Sequence, residues 1–192
     1  MHRACINGKS APGALEPTRD GECKMVENDV WIRSMVRQDM PELLRLMEGV
    51  VKFERGTDFR LTEAELLHRG FGERPEFGAF VADRGDSRLA GMAVHYEIPL
   101  MHTLQPLLMM KWLFVDPDMR GRGLGRRLMQ RMARHATETG HQKVCWFVLK
   151  DNAAAQAFYC GIGATPDPEW DRWLLGPDAI AAMAGDPRAS AR

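Results

Sequence analysis

The stretch VDPDMRGRGLGRRLM, Val115 to Met129, sets Gly121, Gly123 and Gly125 on alternate positions among Arg120, Arg122, Arg126 and Arg127, directly after the apolar run LLMMKWLFV, Leu107 to Val115. So continuous a run reads as a buried strand, central in a sheet. Beyond the glycines, Leu124, Leu128, Met132 and Ala136 recur every four residues, which predicts a helix that Gly140 ends. The turn therefore joins the carboxyl end of a strand to the start of a helix, where backbone N–H groups without intrahelical acceptors and the positive end of the helix dipole can meet an anion. Glycines let that anion approach the main chain with no Cβ in the way. From Asp116 to Arg134 six arginines stand against two aspartates, so the local field is positive. A pyrophosphate is the ligand this pattern suits.

The rest of the chain cancels that charge. Lys plus Arg and Asp plus Glu both number 26 in 192 residues, which argues against a general polyanion binder. With 45% hydrophobic and 27% charged residues, the composition is that of one ordinary globular domain. Cys5, Cys23, Cys145 and Cys160 lie far apart with no CxxC pair, so neither a zinc site nor a disulfide framework is expected. Neither a membrane-spanning apolar window nor a secretory signal is visible, and the setting reads as cytoplasmic.

Residues 1–28, rich in Gly, Pro, Ser and charge, read as a flexible extension, with Met25 an alternative start; residues 29–185 form the domain, and 186–192 a flexible tail. VWIRSMV, from Val30, is a first strand. Asp39 with Glu42, and Pro41 between them, look like a capping box before a helix whose Leu43, Met47, Val50 and Val51 share a face. Thr62 with Glu65 repeats that signature before a short helix carrying Leu66 and Leu67. FGAFVAD and RLAGMAVHYEI flank the turn RGDS as a hairpin with Gly85 at its tight position. After the glycine turn and its helix, KVCWFVL reads as another buried strand, NAAAQAFYC as a short helix stopped by Gly161, and DRWLL as a last strand before a small helix. The expected fold class is α/β or α+β, one domain with a mixed sheet flanked by helices.

Which pyrophosphate ligand fits is narrowed by what the turn lacks. Position 126 is Arg, so the glycines do not make GxGxxG, and no GK[ST] completes a Walker loop. A dinucleotide fingerprint also belongs after the first strand of a βαβ unit, whereas here a hairpin and two helices precede it; a dinucleotide-dependent oxidoreductase is the rival this sets aside. Arg120, Gly123 and Gly125 within RGRGLG, followed by Asn152 and AFY, resemble the acetyl-CoA loop of the GNAT superfamily of N-acetyltransferases. The likeness extends to KFE at Lys52 to Glu54, LTEAELLHRGFGERPEF, AGMAVHY and EWDRWLLGPDAIAAMA, which together resemble the diamine (spermidine/spermine) and thialysine acetyltransferase branch.

That resemblance implies acetyl-CoA as co-substrate, bound at splayed central strands, with no metal, and transfer of its acetyl group to a primary amine by direct attack in a ternary complex. It implies a small diamine-like or lysine-like acceptor and a homodimer. Alternatives are a noncatalytic acetyl-CoA sensor of the same fold, or an enzyme acting on protein lysines or N-termini. For the coenzyme, the resemblance points to Leu113, Phe114 and Val115 on the strand, to Arg120, Gly121, Arg122, Gly123, Leu124, Gly125 and Arg126 in the turn, and to Asn152, Ala155, Phe158 and Tyr159. On the acceptor side it points to Phe53, Glu54, Lys111, Trp146 and Trp170.

The chemistry asks for an acid and a base. An alkyl amine with a pKa of about 10.4 leaves roughly one molecule in a few thousand unprotonated at neutral pH, so its proton must be removed. Tyr159 matches the family's catalytic tyrosine, the proton donor to the departing sulfur. In the branch a strand glutamate lies near the acceptor amine, yet this chain has Lys111 there, leaving Glu54 and Glu97 as candidate bases. Lys111 instead favours an acceptor carrying a carboxylate. Each residue also has a plainer reading: Tyr159 and Trp170 as packing, Asn152 as a helix cap, the two glutamates as surface carboxylates, and Met92, Met101, Met109 and Met110 as core. His68, His95, His102, His135 and His141 show no metal-ligand spacing, although His95 has the option of facing the acceptor. Cys145 is expected to be inert in a buried strand, and Cys160 accessible.

Overall fold

A computed structural model of the chain describes residues 30–56, 58–99, 106–169 and 171–184, together with the backbone of two short antiparallel strands, Glu16–Pro17 (β1) and Cys23–Lys24 (β2). Both expected domain boundaries, Met25, Met101, His102, Trp170 and the tail 186–192 lie outside the described residues. Two compact units are present, Met1–Phe147 and Val148–Arg192.

In the first unit the strands Trp31–Ser34 (β3), Gly78–Asp83 (β4), Leu89–Ile98 (β5), Leu107–Val115 (β6) and Val144–Cys145 (β7) form one sheet in the order β3-β4-β5-β6-β7. Neighbours are antiparallel except β6 and β7, which run parallel, so the sheet is mixed as expected. The alternation of β4 and β5 sorts its two faces. Ala79, Val81, Met92 and Val94 join Phe114 under the helices Met40–Phe53 (α1) and Glu63–Phe71 (α2). Phe80 and Ala82 point the other way, toward the helix Leu124–Glu138 (α3), where Val30, Ala82, Ala90, Met119 and Leu124 cluster. The predicted stripe of α3 is the buried one: Leu124, Leu128, Met132 and Ala136, joined by Met129. In α1, Met40, Leu43, Leu46, Met47 and Val50 are buried and Val51 borders them. Each fully buried aliphatic side chain of this kind contributes about 1.5–3 kcal/mol.

Thr62 caps α2 as predicted, its Oγ1 accepting from the Glu65 amide at 3.2 Å. The hairpin turn holds Gly85 at φ +77°, its amide bonded to Asp83 Oδ1 at 2.8 Å. Asp39 and Glu42 do not form the expected box. The Asp39 carboxylate takes the Arg33 guanidinium at 2.7 and 2.8 Å and the Val36 amide at 2.7 Å, while Glu42 takes Arg45 and the Leu89 amide. Two-pronged pairing with a guanidinium outcompetes a single bond to a helix amide.

Two strand predictions are corrected. KVCWFVL pairs only at Val144 and Cys145, opposite Leu108 and Met109, and none of its residues is buried; Phe147 is 62% exposed. A run at the sheet's edge has a strand on one side only. DRWLL is not a strand: it has no place in either sheet of the described residues, and Trp173 is 91% exposed. The second unit instead comprises the helices Ala153–Cys160 (α4) and Pro177–Met183 (α5). No helix among the described residues is long and apolar enough to cross a membrane.

Candidate active site

The site is built where β6 loses its neighbour. Pairing with β7 stops at Met109, so from Met110 to Val115 that edge of β6 has no strand beside it among the described residues. On the opposite side the register with β5 slips: Val94 faces Trp112 and His95 faces Met110, leaving Lys111 as the extra residue of a β-bulge. Lys111 is accordingly exposed in the middle of an otherwise apolar strand, its Nζ 5.3 Å from the Trp112 ring centroid. A parted strand edge and a bulge are the two features that open a sheet to a ligand without breaking its core.

At the carboxyl end of β6 the chain passes through the turn Pro117–Met119 into the glycine segment. Gly121 and Gly123 both have φ +76°, and a Cβ at either position would meet nothing within 4 Å among the described residues beyond its own chain neighbours, so the space in front of the turn is open there. Gly123 is the N-cap of α3, and the first intrahelical bond runs from the Arg127 amide to the Gly123 carbonyl at 3.1 Å. The Leu124 and Gly125 amides therefore have no acceptor within the helix. Arg120, Arg122 and Arg126 are exposed around them. Backbone donors, a helix N-terminus, open space and guanidinium groups together fit a diphosphate.

Arg120 does not simply project. Its Nε donates to the Val115 carbonyl at 3.0 Å, and its guanidinium carbon lies 5.7 Å from the Phe114 ring centroid and 5.9 Å from that of Phe53. Phe53 ends α1 and Glu54 caps it, both exposed, so this contact ties the expected acceptor side to the expected coenzyme side. Phe114 is buried, whereas Leu113 and Val115 are half-buried. Trp146 is half-buried just past β7. Glu97 pairs across the sheet with Leu108, and its carboxylate lies 3.7 Å from His141 Nε2.

In the second unit Asn152 caps α4, its Oδ1 accepting from the Ala155 amide at 3.1 Å. Phe158 and Tyr159 stand edge to face at 5.2 Å between centroids near the other end of that helix. Burial pushes the Tyr159 phenol up to about 12, so it holds its proton throughout the neutral range. Cys145 is half-buried and Cys160 exposed.

A histidine group escaped the sequence reading. His95 on β5, His135 on α3 and His141 beyond it form a chain of rings, 4.9 Å between the first two and 6.3 Å between the last two, with Phe80 stacked on His95 at 5.0 Å. His95 is thus buried beside His135 of α3. Burial, with His135, Arg131 and His141 nearby, lowers its pKa to about 4. Spacings of 40 and 6 residues carry no periodic signal, so only the pairing of β5 beneath α3 reveals the group. Among the described residues no cluster has the geometry to hold a metal.

A strand parted from its neighbour and leading into a left-handed glycine turn has a match among known families. Residues 42–162 match the Acetyltransferase (GNAT) family, nearly two thirds of the chain. The chain belongs to that family. It is a GNAT acetyltransferase, and acetyl-CoA is the family's co-substrate. A thialysine N-epsilon-acetyltransferase of Sus scrofa is 28% identical over 81% of this chain and 98% of its own length. A spermidine/spermine N(1)-acetyltransferase-like protein 1 of Homo sapiens is 28% identical over 75% of this chain and 22% of its own. Among solved structures, an integron cassette protein from the mobile metagenome of V. cholerae superposes with a TM-score of 0.68 at 23% identity, over 81% of this chain and 97% of that one. An aminoglycoside acetyltransferase from an uncultured soil metagenomic sample gives 0.67 at 20%, over 79% and 99%. At those identities the two structures establish the GNAT fold.

Proposed function

We propose that this GNAT enzyme transfers the acetyl group of acetyl-CoA to the primary amine of a small diamine-like or lysine-like acceptor, by direct attack within a ternary complex. The observation that carries the reading is the open edge of β6, Met110 to Val115, leading directly into a left-handed glycine turn at a helix N-terminus. In this reading the amides of Leu124 and Gly125 and the arginines at 120, 122 and 126 hold the diphosphate. The edge of β6 at Leu113, Phe114 and Val115, which no strand of the described residues covers, offers its main-chain groups to the pantetheine arm. Asn152, Ala155 and Phe158 complete that reading from α4. Curated relatives named for thialysine and for spermidine/spermine support a small amine.

Bound, the coenzyme supplies an activated acetyl group as a thioester. Glu54, exposed at the end of α1 beside Phe53, is the acceptor-side carboxylate that attracts the ammonium form and takes its proton. Glu97 is the second candidate, held next to His141. Tyr159, kept protonated by burial, gives its phenolic proton to the departing sulfur. Lys111, a cation exposed at the bulge, favours acceptors that carry a carboxylate next to the amine, which turns the choice between diamine-like and lysine-like toward the latter. Trp146 and Trp170 belong to the acceptor side of the same reading. It also includes a cytoplasmic setting and a homodimer, for which the exposed Trp173, Leu174 and Leu175 offer apolar surface.

The test is a panel of amines, comprising polyamines, lysine, thialysine and a lysine-bearing peptide, each mixed with the protein and acetyl-CoA while free thiol is read. Release with the lysine-like members is expected. Coenzyme binding without release across the panel would instead mark a sensor, and release with the peptide alone a protein acetyltransferase.

A further inference from the structure

The glycine turn has to be held still, and three of the groups that hold it, Glu42, Arg45 and Asp116, lie outside the residues so far assigned to the site. Asp116 is the residue at which β6 ends and the chain leaves the sheet. It is 9% exposed, its amide donates to the Ala90 carbonyl at 2.9 Å, and its carbonyl accepts from the Met119 amide at 2.9 Å. Its carboxylate is gripped from above by Arg45 of α1, Nη1 to Oδ1 at 3.0 Å and Nη2 to Oδ2 at 2.9 Å. The same guanidinium reaches the Leu89 carbonyl at the start of β5 at 2.9 Å and both oxygens of Glu42 at 2.9 Å. Glu42 in turn accepts the Leu89 amide at 3.0 Å. One guanidinium therefore joins α1, the first residue of β5 and the exit of β6.

We infer that Arg45, with Glu42 and Asp116, is a positioning residue of the coenzyme turn: it fixes the point from which residues 117–123 spring, and so the aim of the amides that open α3. The inference rests on the functional reading above. The far side of the same segment is anchored by apolar contact, Met119 and Leu124 packing with Val30, Ala82 and Ala90, and by Arg127, whose Nη2 donates to the Val30 carbonyl at 2.6 Å. Between these two anchors lie the exposed residues Arg120 to Gly123, tied back to β6 through the Arg120 bond to the Val115 carbonyl. Hydrogen bonds that Arg45 donates to Glu42 and Asp116 outweigh the effect of burial and hold its cation well above its ordinary pKa, so it is charged at every working pH. Burial alone would raise Glu42, but bonds from Arg45 and the Leu89 amide hold it below the usual carboxylate range, so the Glu42–Arg45 pair stays ionised. A lysine in place of Arg45 keeps the charge and loses the planar fork that meets Asp116, Glu42 and Leu89 together.

A matched comparator exists within the same unit. Arg33 binds Asp39 and Asp83 through an equally exposed guanidinium, yet none of the three belongs to the segment between β6 and α3. The experiment measures acetyl-CoA affinity by calorimetry, KM for acetyl-CoA and for the amine, kcat and Tm in the wild type, Arg45→Lys, Asp116→Asn and Arg33→Lys. Expected for Arg45→Lys and for Asp116→Asn is a loss of acetyl-CoA affinity on the order of tenfold, below the ~100-fold that a misplacement of about 1 Å can cause. The amine KM stays within about twofold, and Arg33→Lys lowers Tm comparably while leaving acetyl-CoA affinity within about twofold of wild type. Because Asp116→Asn preserves size while removing the charge and one of the two acceptor oxygens that face Arg45, it keeps the test open if Arg45→Lys folds poorly. Unchanged coenzyme affinity in the folded variants, or an equal loss in Arg33→Lys, overturns the inference. A wild type that does not bind acetyl-CoA overturns the functional reading, and the inference with it.

Discussion

Arg120 turns back on the strand that precedes it: its Nε–H bonds the Val115 carbonyl at 3.0 Å while its guanidinium covers the rings of Phe53 and Phe114. A bare phosphate contact would need only the charge. Here the planar fork also closes the turn onto the end of β6, so Arg120→Lys is expected to weaken acetyl-CoA binding nearly as much as Arg120→Ala, each on the order of tenfold. Calorimetric titration of both variants checks this; a lysine variant with wild-type affinity would mean that charge alone suffices.

Tyr159 makes the opposite prediction. With its phenol raised to about 12 by burial, it keeps its proton at all physiological pH values, and its proposed role lies in the chemistry and not in the diphosphate grip. Tyr159→Phe should lower kcat by about 100-fold or more, the usual size of a general-acid effect, with acetyl-CoA affinity nearly unchanged. Steady-state kinetics beside a binding titration decide it, and full turnover in the variant removes Tyr159 from the chemistry.

Lys111 sits alone at the bulge of β6, where an acidic side chain would suit polyamines and a basic one suits an acceptor carboxylate. Lys111→Glu should therefore shift the ratio of kcat/KM for thialysine or lysine over spermidine toward spermidine by roughly tenfold, equivalent to about 1.4 kcal/mol. An unchanged ratio would place Lys111 outside acceptor selection.

Stability should depend on acidity through His95. Folded, its pKa is depressed by burial, and next by His135, Arg131 and His141, to about 4; unfolded, it is near 6.5. Between those values the unfolded chain binds the extra proton, so the contribution is complete above about pH 6.5 and is lost as pH falls toward about 4, at most roughly 3 kcal/mol. His135 is lowered by burial too, in the same sense; Glu97 and Glu138 oppose it in part. Tm measured down this pH window should fall less steeply in His95→Gln than in wild type. Parallel curves would show that another group carries the acid sensitivity.

Most of the fold was legible because its signals are local. Leu107–Val115 is continuous enough to read as an interior strand, Leu124 to Ala136 repeat every four residues, and Thr62 precedes its helix by the right interval. What escaped depends on partners far along the chain. Asp39 and Glu42 look like a capping box until Arg33 and Arg45 claim their oxygens. DRWLL has the composition of a strand, but composition provides no neighbour to pair with, and KVCWFVL finds one for two residues only. The departure at Lys111 was visible as an odd residue in an apolar run; that it is the extra residue of a bulge follows only from the register with Val94 and His95. Arg45 and Asp116, 71 positions apart, gave no sign of belonging together.

The central claim is that the turn opening α3 receives the coenzyme's diphosphate and so lays the acetyl group along the open edge of β6. Diffraction from crystals grown with acetyl-CoA tests it most directly. The account predicts diphosphate oxygens within hydrogen-bonding reach of the Leu124 and Gly125 amides, with the acetyl carbon beside the bulge at Lys111. Coenzyme bound elsewhere on the protein, with this turn left empty at saturating concentration, would contradict it.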